Sequence, residues 1–152
     1  TIFLFLNIYV SGDYAYVASS IYGLAVIDIS DPTHPGTPVY EDTTGEAFEV
    51  YVSGDYAYVA DISSGLAVID ISDPTNPGTP VYEDTTGDAR DVYVSGNYAY
   101  VADDISGLAV IDISDMEDST IPFGNSFLIF IGFSVICLIF IKKRQIVRKS
   151  RK

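Results

Sequence analysis

The chain has 152 residues, 48% of them apolar and 19% charged, which suits one globular domain and lies outside the disordered class. All 21 acidic residues lie at or before Asp118, whereas seven of the eight basic residues fall in the last eleven positions. Residues 1–141 therefore carry a net charge of −20 with Arg90 as their one basic residue, a sign that repels phosphate and excludes nucleic acid as a partner of that portion. The single cysteine, Cys137, excludes an intramolecular disulfide and leaves zinc without a second thiolate.

The chain opens on Thr1 and the apolar stretch Ile2-Phe3-Leu4-Phe5-Leu6, too short to cross a bilayer. Residues 1–7 read either as the end of an apolar leader or as the approach to a first strand. Exported repeats need a signal, so one is expected upstream of Thr1.

From there the chain repeats itself. Gly12, Gly54 and Gly96 are evenly spaced, with a period of about 42 residues. Residues 9–50 match 51–92 at 34 of 42 positions, and 51–73 match 93–115 at 20 of 23. The units run over about 8–50, 51–92 and 93–115, and turn residues cut each into short strands. In the second unit, 48–52 alternates Phe48, Val50 and Val52 with Glu49 and Tyr51, the period-2 pattern of a half-buried strand. A tight turn at Ser53-Gly54-Asp55 returns the chain into 56–61 (YAYVAD), rich in β-formers. After the loop 62–65, residues 66–71 (LAVIDI) are apolar on both faces and predict a deeply placed strand. The segment DPTNPG, 73–78, has two prolines and so cannot join a ladder; 81–84 makes a short outer strand with an acidic, solvated end. No segment before Phe123 has a helical period. The fold class expected is all-β: antiparallel, four-stranded, blade-like repeats of about 42 residues forming a partial β-propeller, plus one C-terminal transmembrane helix.

At the level of specific residues the unit resembles the LVIVD repeat. The segments VSGDYAYVA (52–60) and GLAVIDISDPTNPG (65–78) carry the likeness, with Val68-Ile69-Asp70-Ile71 at the naming position, recurring as 26–29 and 110–113. The resemblance covers about residues 8–118 and implies a propeller-like, cell-surface protein of bacteria or archaea with no shared catalytic residue. About two and three-quarter units fall short of the roughly four to eight blades of a closed propeller. That leaves three arrangements: a piece of a longer protein, which is preferred, self-association of several chains to complete a ring, or an open array.

Beyond a polar stalk, 116–122, residues 123–141 (FGNSFLIFIGFSVICLIFI) carry no charge. As a helix they span about 29 Å at roughly 1.5 Å per residue, the thickness of a bilayer core. Lys142, Lys143 and Arg144 follow at once and open the basic tail 142–152, which the positive-inside rule places in the cytoplasm, leaving the repeats outside. The expected location is the cell membrane, crossed once. The tail as a whole resembles archaeal C-terminal sorting domains; its order Pro122-Phe123-Gly124 departs from their Pro-Gly-Phe-like motif, so anchoring is implied and peptidase cleavage is not.

The chemistry-bearing patterns favour a scaffold. Asp28 with Asp31, Asp70 with Asp73 and Asp112 with Asp115 form a periodic pair at a strand end. Calcium is the one ion such pairs suggest, yet it needs six to eight converging oxygens; the simpler reading is that the first Asp fixes the loop and the second caps a Pro-containing turn. No other cofactor is expected. Paired carboxylates also serve glycosidases, but here they are copied with the scaffold. Nine of the twelve tyrosines recur in a fixed strand pattern that suits packing between strands, and His34, without a second His or Cys, reads as a surface loop residue. The loops that vary between copies, 19–22, 61–64 and 103–106, mark Asp61, Ile62, Ser63, Ser64, Asp103, Asp104, Ile105 and Ser106 as candidate contacts for a protein or carbohydrate partner. The expected role is a membrane-anchored binding or adhesion module; a structural spacer without a discrete ligand is the alternative, and an enzyme is not expected.

Overall fold

The computed structural model describes residues 7–114. The expectations for 1–6 and for 115–152, which include the stalk, the transmembrane helix and the basic tail, lie outside the described residues. Among the described residues, no helix is long and apolar enough to cross a membrane.

The described fold is all-β, with one 3₁₀ turn at Asp104–Ser106. The first unit supplies β1 (Asn7–Ser11), β2 (Tyr14–Ala18), β3 (Leu24–Asp28) and β4 (Val39–Glu41). The second supplies β5 (Glu49–Ser53), β6 (Tyr56–Ala60), β7 (Leu66–Asp70) and β8 (Val81–Glu83), and the third β9 (Asp91–Ser95), β10 (Tyr98–Ala102) and β11 (Leu108–Asp112). Each unit is its own antiparallel meander, ordered β1-β2-β3-β4, β5-β6-β7-β8 and β9-β10-β11.

The expected strands are corrected at their ends by one residue. The first strand of unit 2 is Glu49–Ser53 and not 48–52, so Phe48 stands before it; Asp61 and Ile71 fall just beyond β6 and β7, and Asp84 beyond β8. The register explains the shift: Ser53 pairs with Tyr56 and Glu49 with Ala60, so the ladder occupies the five pairs nearest the turn. That turn needs only two residues because Gly54 takes φ 56°, a left-handed value that costs glycine nothing and closes a two-residue hairpin.

Period-2 alternation then builds the core between units rather than within one. Tyr16, Ala18, Leu24 and Val26, on one face of sheet 1, pack with Val50, Val52, Val59 and Ile69 on the facing side of sheet 2. The other face of sheet 2, with Tyr58, Ala60, Leu66 and Val68, packs with Val92, Val94, Ala99 and Val101 of sheet 3. A middle sheet is therefore covered on both faces, which is why β7 can be apolar and buried from Leu66 to Ile69. The expectation of a deep third strand holds for β7 and for the start of β3; β11 alternates between exposed and half-buried.

Candidate functional site

The antiparallel meander sends the variable loops and the linkers between units to the same end of the sheets. Linker 42–48 is gripped from both sides there. On its own unit's side, Ser20 and Ala47 exchange two backbone hydrogen bonds of 3.0 Å. On the next unit's side, the Asp61 carboxylate accepts from Thr43 Oγ1 at 2.8 Å and from the Gly45 N–H at 2.8 Å. Thr44 adds a bond from its N–H to the Tyr82 hydroxyl, 2.8 Å, and one from Oγ1 to Ser64 Oγ, 3.0 Å. Glycine is required at 45, because a Cβ there would run into the Asp61 carbonyl and stand 2.8 Å from Ser64 Oγ.

Unit 3 repeats the device with looser geometry. Asp103 Oδ2 accepts from the Gly87 N–H at 3.0 Å and from the Thr86 hydroxyl at 3.3 Å. Thr85, the counterpart of Thr43, turns instead to the Gly87 carbonyl at 3.3 Å, so Asp103 Oδ1 is buried without a hydrogen-bond partner. Desolvation raises the Asp61 carboxyl above its ordinary value, and the bonds from Thr43, Gly45 and Ser64 oppose that rise.

The candidate loop residues thus divide. Asp61 and Asp103 are fully buried and hold neighbouring units together, with their carboxylates turned away from solvent. Ile62 is half-buried and its backbone is left-handed, φ 39°, like Ser20 at 52° and Asp104 at 38°; the Ala89 N–H bonded to the Ile62 carbonyl at 3.0 Å helps to fix it. Ser64 is half-buried in the same joint, and Ser63, Asp104, Ile105 and Ser106 are exposed. In the first unit the loop exposes Ile21 and Tyr22, whose ring lies 6.0 Å from that of Tyr40. Sequence reasoning passed over Arg90. Its guanidinium reaches Asp88 at 3.0 Å and Asp104 at 3.5 Å and lies 5.5 Å over the Phe48 ring, tying the third variable loop to the preceding linker. The flanking cations Lys142, Lys143 and Arg144 are outside the described residues.

At the opposite end the aspartate pairs act locally. Asp28 Oδ1 accepts from the Ser30 N–H at 2.8 Å, and Asp31 Oδ1 from the Thr33 N–H at 2.9 Å and its hydroxyl at 2.6 Å. Asp70 and Asp73 repeat the pattern with Ser72 and Thr75, and Asp112 with Ser114. Hydrogen bonds from the following residues hold Asp28, Asp31, Asp73 and Asp112 below the usual carboxylate range. Among the described residues, no three His, Cys, Asp or Glu side chains are grouped to hold a metal ion. His34 is exposed, with Nδ1 3.1 Å from Asp31 Oδ2. The strand tyrosines face each other across strands, Tyr9 opposite Tyr16 and Tyr51 opposite Tyr58, and also run between units: Tyr9 to Tyr51 at 5.1 Å and Tyr51 to Tyr93 at 5.2 Å between ring centroids.

No curated protein matches the chain. The LVIVD repeat matches it three times, over residues 6–38, 44–80 and 86–118. Those stretches take in the first three strands of each unit and the joint residues Asp61, Asp103, Gly45 and Gly87, leave out β4 and β8, and make up more than half of the sequence: the chain belongs to the LVIVD-repeat family.

Proposed function

We propose that this chain is a non-catalytic binding or adhesion module carried at a membrane surface, with its repeats as a rigid scaffold of propeller type and its partner contacts at the loop end. The observation that carries this reading is Ile105, 96% exposed at the centre of the Asp104–Ser106 turn, in a loop tied down by the Asp103 and Arg90 contacts. A large apolar side chain held out to solvent by a fixed backbone suits the apolar surface of a protein or the face of a sugar ring. The exposed pair Ile21 and Tyr22 offers the same chemistry at the same end. The periodic carboxylates bond to their own turns, which supports a scaffold role for them without cofactor or catalysis. The uncharged run 123–141 followed by Lys142, Lys143 and Arg144 supports a single-pass anchor, repeats outside and C-terminus in the cytoplasm.

A spacer without a discrete ligand is the second reading, favoured by the near-identity of the unit-to-unit packing. The full chain in lipid nanodiscs, presented to arrayed glycans and to surface-protein extracts of the cells that make it, separates the two. Wild type should retain a partner that the triple variant Ile21→Ser, Tyr22→Ser, Ile105→Ser binds at least about tenfold more weakly, the effect of losing a few central contacts. Equal retention by both would leave the spacer reading.

A further inference from the structure

Among the described residues, the packing of sheet on sheet leaves two unlike apolar faces without a neighbouring sheet, one at each end of the series. The open face of sheet 3 carries Tyr100, Leu108 and Val110. Their counterparts in sheet 2 are Tyr58, Leu66 and Val68, which are buried against sheet 3. Leu66 is 0% exposed where Leu108 is 64%, and Val68 is 3% where Val110 is 54%. At the other end, sheet 1 presents Ile8 and Val10 on its first strand, Val10 being 57% exposed where its counterpart Val52 is 6%, while Ala15 and Ala25 on the same face are buried and Val17, Ile27 and Ile29 are half-buried. The two open faces are the two halves of a joint that the chain already makes twice. Twelve positions define that joint, four on one face and eight on the other: eleven lie among the described residues in all three copies and differ only in having Ile8 where the others have Val50 and Val92, and at the twelfth, Ala47 and Ala89, the first copy has Phe5 in its sequence.

The polar part of the joint fits as well. Inside the chain, a threonine-rich linker in one unit meets an aspartate in the next. Unit 3 is followed by DMEDSTIP and not by DPTNPGTPVYEDTTG, and the first unit has Ser19 where the others have Asp61 and Asp103. A sheet 3 meeting a sheet 1 would therefore bring neither the donor linker nor a buried carboxylate in need of it. An aspartate at position 19 would there have been left buried and unpaired, which destabilises a joint more than having no polar group at all.

We infer that the open face of sheet 3 receives sheet 1 of a second copy of this chain, head to tail, in the same register as the internal joints, and that two copies close on each other. A head-to-tail contact closes when its rotation completes a turn. The described sheets of two copies make six, inside the roughly four to eight of closed rings, and those of three copies would make nine, outside it.

The test is the mass of the full chain in detergent at about 10 µM, by light scattering with the micelle subtracted. The expected value is twice the chain mass. Val10→Asp spoils one face and Val110→Asp the other, and each variant alone should fall to the single-chain mass. Mixed, they should recover the doubled mass, because the sound sheet 3 of one meets the sound sheet 1 of the other. A single-chain mass for wild type overturns the inference, and means that a segment such as 1–6 or 123–141 covers these faces or that they stay open. A doubled mass that survives both variants overturns it in favour of contact through another surface, a loss in only one variant points to like-with-like pairing, and a ladder of larger masses rules out closure. Circular dichroism melts show whether each variant keeps the fold; if either aspartate variant unfolds, Val10→Thr and Val110→Thr must each lower the concentration-dependent stability of the dimer, and no shift in either overturns the contact.

Discussion

The two threonines that begin the linkers show how one rotamer sets the value of a joint. Thr43 is buried and gives its hydroxyl to Asp61, whereas Thr85 gives its own to the Gly87 carbonyl. Thr43→Val keeps the shape and removes the donor, leaving a carboxylate oxygen buried and unsatisfied, so it should cost about 1–3 kcal/mol. Thr85→Val should cost less than about 1 kcal/mol, the worth of an ordinary hydrogen bond. Urea unfolding midpoints at constant slope measure the difference, and equal losses would mean that the two joints are the same in solution. The roles of Asp61 and Asp103 were the least legible part of the sequence. Both sit in loops that vary between copies, and variation reads as ligand contact. The clue lay elsewhere: each aspartate is preceded by a linker carrying Thr-Thr-Gly, at Thr43-Thr44-Gly45 and Thr85-Thr86-Gly87, and Ser19 replaces it in the unit that has no such linker before it.

Among the elements, strand identity was legible because two signals agreed, the alternation of side chains and the glycine-containing turns. The short fourth strand was legible too, though its closeness to the loop before the third was not. Gly65, at φ 78°, lies under that strand: a Cβ there would stand 2.5 Å from the Glu83 carbonyl oxygen and 2.8 Å from the Thr85 nitrogen. Gly107 has a similar φ, 84°, with nothing within 4 Å of its Cβ position. Ala at 107, where φ is 84° and ψ −104°, should cost the roughly 1–3 kcal/mol of a residue held in a sparsely populated backbone region, while Ala at 65 adds a backbone collision and should cost at least about 2 kcal/mol more. Thermal melts of the two variants test this, and a matched loss would remove the distinction between the units.

For the whole molecule, aligning near-identical copies also aligns like charges. Glu49 begins β5 and Asp91 begins β9 at the same repeat position; burial first, and then the Asp91 charge, push the Glu49 carboxyl from its ordinary 4.5 up to about 7. Between those values the unfolded chain has lost a proton that the folded chain keeps, so stability falls as pH rises from about 4.5 to about 7 and then levels. The turn aspartates work in the opposite sense and lower: their folded values lie below the ordinary 3.8, so their contribution is fully present above that value and is lost as pH falls below it through the folded values. The most stable range should be mildly acidic. Glu49→Gln should melt higher than wild type at pH 8, by on the order of 1 kcal/mol once solvent screening is allowed for, and level with it at pH 4.5; an unchanged difference across that range would show that Glu49 titrates normally. The packing of unit on unit was legible only in part, because a sequence shows which faces are apolar and not which neighbour covers them.

The carboxylate joint also constrains how such a gene can change length. Its acceptor is encoded in one unit and its donors in the unit before, so a recombination that adds or deletes one whole period regenerates a complete joint at the seam. A recombination of any other size whose seam falls between the donors and the acceptor strands a buried aspartate away from its threonine and glycine. Lineages of this protein should therefore differ in length by whole periods, each the step from Gly12 to Gly54 or from Gly54 to Gly96.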